Sequence, residues 1–104
     1  MTKIYERGTV VRVPTHPGAI LREDVLPALG VSKAKFARSI QVSRQMLYDI
    51  LNEKRPITVP MALRLGKVLG NGPNIWAGMQ QNYDLFYAAE NMADELEALQ
   101  VMYG

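Results

Sequence analysis

Apolar residues in this chain recur at intervals of three and four, in short runs that stop at glycine or polar residues. Such spacing predicts amphipathic α-helices, because residues three and four apart share one helix face. Pro17 can open the first run and Gly30 can close it, whereas Pro27 is expected to bend or shorten the helix near its end. The apolar positions of this run are Ile20, Leu21, Val25, Leu26 and Leu29.

A hydroxyl side chain precedes each of the next three runs, where an N-cap is favoured. Ser32 stands before "KAKFARSI", Ser43 before "RQMLYDILN", and Thr58 before a run with Pro60 in its first turn. "GNGP" at residues 70–73 ends the last of them. The apolar positions are Phe36, Ala37 and Ile40, then Met46, Leu47, Ile50 and Leu51, then Met61, Leu63, Leu65, Val68 and Leu69.

The chain ends in a longer helical stripe that starts near Asn74, with a break expected near residues 90–91. Before the first helix, "TVVRV" at residues 9–13 is β-branched and predicts an extended arm or a short strand. The fold class is therefore all-α. The stripe consists of Trp76, Met79, Tyr83 and Phe86, and continues loosely through Met92, Leu96, Leu99 and Tyr103.

Charge divides the chain into a basic part and an acidic part. Residues 1–70 hold all twelve lysines and arginines and five acids, a net charge of +7, whereas residues 71–104 hold five acids and no base, a net charge of −5. An anionic partner for the first part is therefore expected, and a basic partner for the second. The absence of cysteine, of an apolar leader and of any long apolar run favours a cytoplasmic protein without a membrane segment.

The most informative unit runs from Lys33 to about Leu51, where two short helices flank a turn of three to four residues. Ala37 can let the helices approach closely, Val42 can plug the turn, and Ser43 can cap the second helix. This pattern predicts a helix-turn-helix whose second helix enters the major groove of DNA. Gln41 departs from it, because the turn usually needs a glycine with positive φ; a side chain there costs on the order of 1 kcal/mol.

The helix-turn-helix register leaves polar side chains on the outer face of the second helix and cations beside it. Arginine suits guanine and glutamine suits adenine, while a tyrosine can meet a thymine methyl or a phosphate and an aspartate can accept from cytosine or orient Arg44. The expected base contacts are Arg44, Gln45, Tyr48 and Asp49. The expected phosphate contacts are Lys33, Lys35, Ser43, Asn52, Lys54 and Arg55.

Several motifs along residues 15–86 resemble one known family. They are "HPG" followed by "ILRE", the "VSRQ" and "DILN" block, "MALRL", "PNIW" and "YDL". Together they are similar to the HigA-type antitoxins of bacterial toxin–antitoxin operons, which are phage-repressor-like (XRE) helix-turn-helix proteins. Two features depart from the family: Glu53 stands where glycine is usual, and the arm before Pro14 is longer than the family core requires.

The resemblance implies a compact five-helix, lambda-repressor-like domain at residues 17–88, with an arm at 1–16 and an acidic helix or tail at 89–104. It also implies a homodimer that binds a palindromic operator, represses its own operon and neutralises a basic RelE/HigB-type ribonuclease toxin. The tail or the arm is expected to contact that toxin. The expected dimer seam is Trp76, Met79, Tyr83 and Phe86, although these residues would equally well close the core of the monomer.

Three other interpretations remain open at this point. The two helices could form a plain helical hairpin, the protein could be a stand-alone repressor without a toxin, or it could be an antitoxin that acts mainly through protein contacts. An enzyme is not expected, since His16 is the sole histidine and its position favours a loop or helix-start role. One histidine without cysteine also leaves almost no zinc ligands, so no metal or cofactor is expected.

Overall fold

The computed structural model describes residues 2–4 and 10–103. Thr2–Ile4 (β1) and Val10–Arg12 (β2) form an antiparallel hairpin in which Lys3 pairs with Val11. A strand thus lies within the segment for which an arm or strand was expected. The parts of the predicted arm at residue 1 and residues 5–9 lie outside the described residues, as does residue 104 of the predicted tail.

The described residues that follow the hairpin form six helices, so the all-α prediction is confirmed apart from the two short strands. The first helix, α1 (residues 17–29), combines Pro17–Ile20, a π-helical segment Leu21–Val25, and Leu26–Leu29. The others are α2 (Lys33–Ser39), α3 (Arg44–Leu51), α4 (Val59–Leu69), α5 (Asn74–Asn91) and α6 (Ala93–Ala98).

Pro27 changes α1 in a different way from the expected bend or shortening. Because proline has no N–H, the carbonyl four residues before it loses its helical donor. The preceding turn widens instead, and the Leu26 N–H donates to the carbonyl of Leu21, five residues back. The helix then continues to Leu29 and stops at Gly30, whose φ of 67° suits glycine.

The three predicted N-caps are confirmed. The Ser32 Oγ accepts from the Lys35 N–H at 3.1 Å, the Ser43 Oγ from the Met46 N–H at 3.0 Å, and the Thr58 Oγ1 from the Met61 N–H at 3.3 Å. Each bond satisfies a donor in a first helical turn that has no partner within the helix. Local sequence therefore sets where α2, α3 and α4 begin.

All five helices from α1 to α5 contribute to one hydrophobic core. Trp76 of α5 is only 2% exposed, and its Nε1 donates to the Asn71 Oδ1 at 3.2 Å. Trp76 therefore closes the monomer core and is not available for the dimer seam that the stripe predicted. Other fully buried side chains are Leu21, Phe36, Ile40, Leu47, Ile50, Leu51 and Leu65.

Some apolar residues of α4 and α6 remain at the surface. Leu63 and Val68 are 54% and 43% exposed, so only part of the α4 pattern faces the core. α6 buries none of its residues, which makes it an extension that rests beyond the core. Of the helices that the structure describes, none combines the length and hydrophobicity that crossing a bilayer requires.

Candidate nucleic-acid interface

The turn between α2 and α3 has the geometry that the helix-turn-helix pattern requires. Its backbone closes through the Val42 N–H, which donates to the Ala37 carbonyl at 3.0 Å. Gln41 adopts a φ of 60°, so this position does need the left-handed conformation despite its side chain. From α4, the Arg64 Nη1 donates to the Ile40 carbonyl at 3.0 Å, which ties the turn to the body of the domain.

The outer face of α3 carries the polar side chains expected there. Arg44, Gln45 and Tyr48 are exposed, whereas Leu47 and Ile50 on the opposite face are at most 1% exposed. The helix begins at Arg44, so two of the exposed side chains lie in its first turn. This end of a recognition helix is the one that approaches base edges in the major groove.

Asp49 differs from the other three expected base contacts. Its side chain is half-buried, and its carboxylate has two partners on the protein. The Gln45 Nε2 donates to Oδ1 at 2.8 Å, and the Arg55 Nε lies 3.4 Å from Oδ2. The expectation that Asp49 would orient Arg44 is therefore not met, since the residues that it holds are Gln45 and Arg55.

Cationic and polar side chains lie on both sides of α3. The Lys33 Nζ at the start of α2 stands 5.7 Å from the centre of the Tyr48 ring, a cation–π arrangement. On the other side, the ion pair with Asp49 holds Arg55 against the helix. Lys33 and Arg55, two of the predicted phosphate contacts, are thus joined to the reading surface, by which we mean the predicted base contacts Arg44, Gln45, Tyr48 and Asp49. Lys35, Asn52 and Lys54 are exposed as well.

Ser43 has two possible roles that are compatible with each other. Its Oγ accepts the Met46 N–H in the N-cap, and its hydroxyl hydrogen remains available as a donor. Ser43 is exposed, so a phosphate oxygen can reach that hydrogen. Capping and phosphate contact can therefore occur together.

Arg22 of α1 supports the loop that follows α3, a role that the sequence pattern did not indicate. Its Nη1 donates to the Leu51 carbonyl and lies 3.3 Å from the Glu53 Oε2. Glu53 has a φ of 62°, so this position keeps the left-handed backbone that the usual glycine would give. The departure at Glu53 therefore keeps a left-handed backbone at this position and adds a carboxylate beside Arg22.

His16 starts α1, as its position in the sequence suggested. Its Nδ1 accepts the Gly18 N–H at 2.9 Å, and the side chain is 4% exposed. The ring packs edge-on against Tyr83 of α5, with 4.9 Å between centroids. Burial lowers the pKa of His16, and the negative charges of Glu53 and Asp84 only partly oppose this. Folding therefore favours the neutral imidazole, in agreement with the hydrogen bond that Nδ1 accepts.

Gln80 anchors the segment after α3, a role that no pattern in the sequence indicated. It is 6% exposed; its Oε1 accepts the Ile57 N–H at 2.7 Å, and its Nε2 donates to the Asp84 Oδ1 at 2.9 Å. The first bond holds the chain shortly after Arg55, and the second orients the Gln80 amide within α5. In residues 2–4 and 10–103, no three histidine, cysteine or carboxylate side chains come together as metal ligands.

The remaining seam candidates on α5 are half-buried, and two of them serve the monomer, since Met79 packs against the hydrophobic core. Tyr83 packs against His16, and burial raises the pKa of its phenol. The other flank of α5 borders an apolar groove of about 350 Å³, in which Val59 and Leu85 are 68% and 60% exposed. The most exposed apolar surface of α5 is thus beside the predicted stripe rather than on it.

Comparison with known proteins gives consistent matches over most of the chain. The helix-turn-helix family matches residues 21–76. Virulence-associated protein A' of Dichelobacter nodosus is 37% identical over 87 residues, which are 83% of this chain and 75% of that protein.

Two solved structures extend this similarity to three dimensions. The Pseudomonas aeruginosa antitoxin HigA, solved with the higBA promoter, has a TM-score of 0.81 at 32% identity and covers 86% of this chain and 99% of its own. The antitoxin GraA in complex with its operator has a TM-score of 0.81 at 35% identity, with 90% and 95% covered. The chain therefore belongs to the helix-turn-helix family of DNA-binding proteins and is related to the HigA-type antitoxins.

Proposed function

We propose that this protein binds the operator of its own operon as a homodimer, represses transcription and neutralises a RelE/HigB-type mRNA-cleaving toxin. The observation that carries the proposal is the outer face of α3. Arg44 and Gln45 are exposed in its first turn, and cations lie on both sides of it. A helix that only faces solvent needs no such arrangement. A helix in the major groove needs polar side chains for the base edges and cations for the phosphates on either side.

Within this proposal, each side chain on α3 has a defined task. Arg44 donates two hydrogen bonds to guanine, at O6 and N7, and Gln45 forms a pair of hydrogen bonds with adenine. Tyr48 contacts a thymine methyl group or a phosphate while Lys33 stays over its ring. The backbone of the DNA is held by Lys33, Lys35, Ser43, Asn52, Lys54 and Arg55.

A dimer is part of the proposal because one recognition helix reads only a few base pairs. We place its seam on α5, where Met79, Tyr83 and Phe86 contribute their exposed edges and Trp76 remains in the core. Leu85 and Val59 extend the apolar surface on the other flank of this helix. Two α3 helices related by twofold symmetry would then face successive major grooves of a palindrome.

The toxin contact is proposed for residues 89–104. α6 is fully at the surface and carries Asp94, Glu95 and Glu97 without a compensating base. Exposed Leu96 and Leu99 lie among these carboxylates. An acidic segment with apolar side chains suits a basic protein and repels DNA, so this part of the chain would serve the toxin while residues 17–88 serve the operator.

The DNA part is tested with the purified protein and a duplex from the promoter of its own operon. We expect binding at nanomolar concentrations that weakens steeply with salt, and a footprint with twofold symmetry. A scrambled duplex of equal length is the control. Equal affinity for both duplexes would contradict sequence-specific binding, and a monomeric mass in light scattering, free and DNA-bound, would contradict the dimer.

The toxin part is tested by co-expression with the product of any adjacent gene that encodes a small basic protein. The full chain should restore growth, whereas a chain lacking residues 90–104 should not, although it still folds and binds DNA. Growth restored equally by both chains would remove the tail from this role. An operon without such a gene would instead favour a stand-alone repressor.

A further inference from the structure

Asp49 lies between a base-reading residue and a phosphate-contacting residue on the surface of α3. Its Oδ1 accepts the Gln45 Nε2 at 2.8 Å, and its Oδ2 faces the Arg55 Nε at 3.4 Å. Gln45 and Asp49 are four residues apart, so they lie on the same side of the helix one turn from each other. We propose that Asp49 is a positioning residue that sets the Gln45 amide to read adenine and to reject guanine; this rests on the proposed operator binding.

The orientation of the amide follows from the chemistry of its partner. An ionised carboxylate only accepts hydrogen bonds, so the amino group of Gln45, and not its oxygen, must face Asp49. The Gln45 Oε1 is then turned away from Asp49 with its lone pairs available. One hydrogen of Nε2 is also left, because the amino group has two and Asp49 takes one.

One acceptor and one remaining donor match adenine. In the major groove adenine offers its N6 amino group as a donor and N7 as an acceptor, so Oε1 and the free Nε2 hydrogen can satisfy both. Guanine offers two acceptors, O6 and N7, and would require both hydrogens of Nε2. Asp49 holds one of them, so guanine at this position would lose a hydrogen bond or would have to break the contact with Asp49.

The same carboxylate fixes the position of Arg55. With Nε directed at Asp49, the two terminal amino groups of the guanidinium remain as donors for the DNA backbone. Asp49 thus couples the amide that reads a base to a cation that sets the register on the phosphates.

The test measures the affinity of the full-length protein for its operator and for every single-base-pair variant of it. One A·T pair of the operator should depend on Gln45. Converting that pair to G·C should lower the affinity of the wild-type protein by about 5- to 150-fold, and Gln45→Ala should lower the affinity for the unchanged operator to a similar extent. Asp49→Ala should reduce the A-to-G discrimination at that same pair and leave the other base preferences unchanged. The double variant with Gln45→Ala and Asp49→Ala should lose no more A-to-G discrimination at this pair than Gln45→Ala alone.

Two further variants separate positioning from other roles. Asp49→Asn keeps an oxygen that can accept from Gln45, so it should retain most of the A-to-G discrimination. Asp24→Asn on α1 makes the same charge change at an exposed position outside the proposed contacts and should leave the base preferences untouched. Circular dichroism of each variant checks that the helices are intact.

The outcomes distinguish this inference from the proposed function. If Asp49→Ala changed a base pair other than the one that depends on Gln45, with effects that add in the double variant, Asp49 would contact a base directly and the positioning role would be overturned. Unchanged A-to-G discrimination would overturn it as well. A wild-type protein that binds no promoter DNA would instead overturn the proposed function itself.

Discussion

Gly18 in the first turn of α1 lies directly against the Ile50 carbonyl oxygen near the end of α3. A Cβ atom at Gly18 would overlap that oxygen. This close approach gives a physical reason for the glycine of the "HPG" motif. It also means that the position of α3, which carries the proposed reading surface, depends on the absence of a side chain in another helix.

Gly18→Ala should therefore destabilise the protein by about 2 kcal/mol or more, because neither backbone can move without disturbing the packing around α3. Gly78→Ala is the matched control. Gly78 lies inside α5, and a methyl group there would have no neighbouring atom within 4 Å, so alanine should stabilise this helix by about 0.5–1 kcal/mol. Urea unfolding, followed by circular dichroism, measures the free energy of unfolding of both variants. Equal changes for the two substitutions would contradict the close approach of Gly18 to Ile50.

Protonation of His16 should destabilise the fold. Burial lowers its pKa below the ordinary value of 6.5, so the unfolded chain binds the proton more tightly than the folded one. The stabilisation is fully present above pH 6.5 and is lost as the pH falls through that value toward the folded pKa. A single group changes the stability by at most about 1.4 kcal/mol per pH unit.

Thermal unfolding between about pH 5 and pH 8 measures this dependence. His16→Asn is the informative variant, because asparagine also caps helices but has no proton to gain in this range. Its stability should vary less with pH than that of the wild type. An equally steep decline in both proteins would assign the effect to groups other than His16.

Features with local causes could be predicted from the sequence. The caps at Ser32 and Ser43, the stop at Gly30 and the buried Phe36 and Ile40 all follow from residues within four positions of each other. The Gln45–Asp49 pair is local as well, but the pattern alone did not show that the carboxylate would face Gln45 instead of Arg44.

Features that depend on distant residues could not be predicted. Arg22 and Glu53 are 31 positions apart, and Gln80 and Ile57 are 23 apart, so nothing in the spacing connects them. The α5 stripe was ambiguous for another reason. An apolar helix face looks the same whether it covers the monomer's own core or a partner, and only the packing of Trp76 shows that this residue belongs to the core.

Gln41 offers a stabilising substitution. Its φ of 60° costs a residue with a side chain on the order of 1 kcal/mol, and glycine does not bear this cost. Gln41→Gly should therefore raise the melting temperature by roughly 5 °C. Ser39→Gly at the end of α2 is the control and should lower it, since glycine weakens a helix and the Ser39 Oγ would no longer donate to the Lys35 carbonyl. A lower melting temperature for Gln41→Gly would mean that the turn gains more from the glutamine side chain than the backbone loses.

The Arg44→Ala and Lys54→Ala variants should lose DNA affinity in different ways. Arg44 is exposed in the first turn of α3, where we propose that it reads a base. Its loss should therefore weaken operator binding by about 5- to 150-fold and relax the preference at one base pair. Lys54 lies in the exposed loop after α3. Its loss should weaken operator and unrelated DNA alike and reduce the slope of log affinity against log salt by about 1.

Salt titrations on the operator and on a scrambled duplex distinguish these two outcomes. Lys67→Ala, near the end of α4, removes the same charge outside the proposed contacts and should change the slope less than Lys54→Ala does. Unchanged operator affinity of Arg44→Ala would mean that α3 lies in the groove in a different register. A sequence-dependent effect of Lys54→Ala would mean that the loop itself reaches a base edge, so that Lys54 belongs to the reading surface with Arg44 and Gln45.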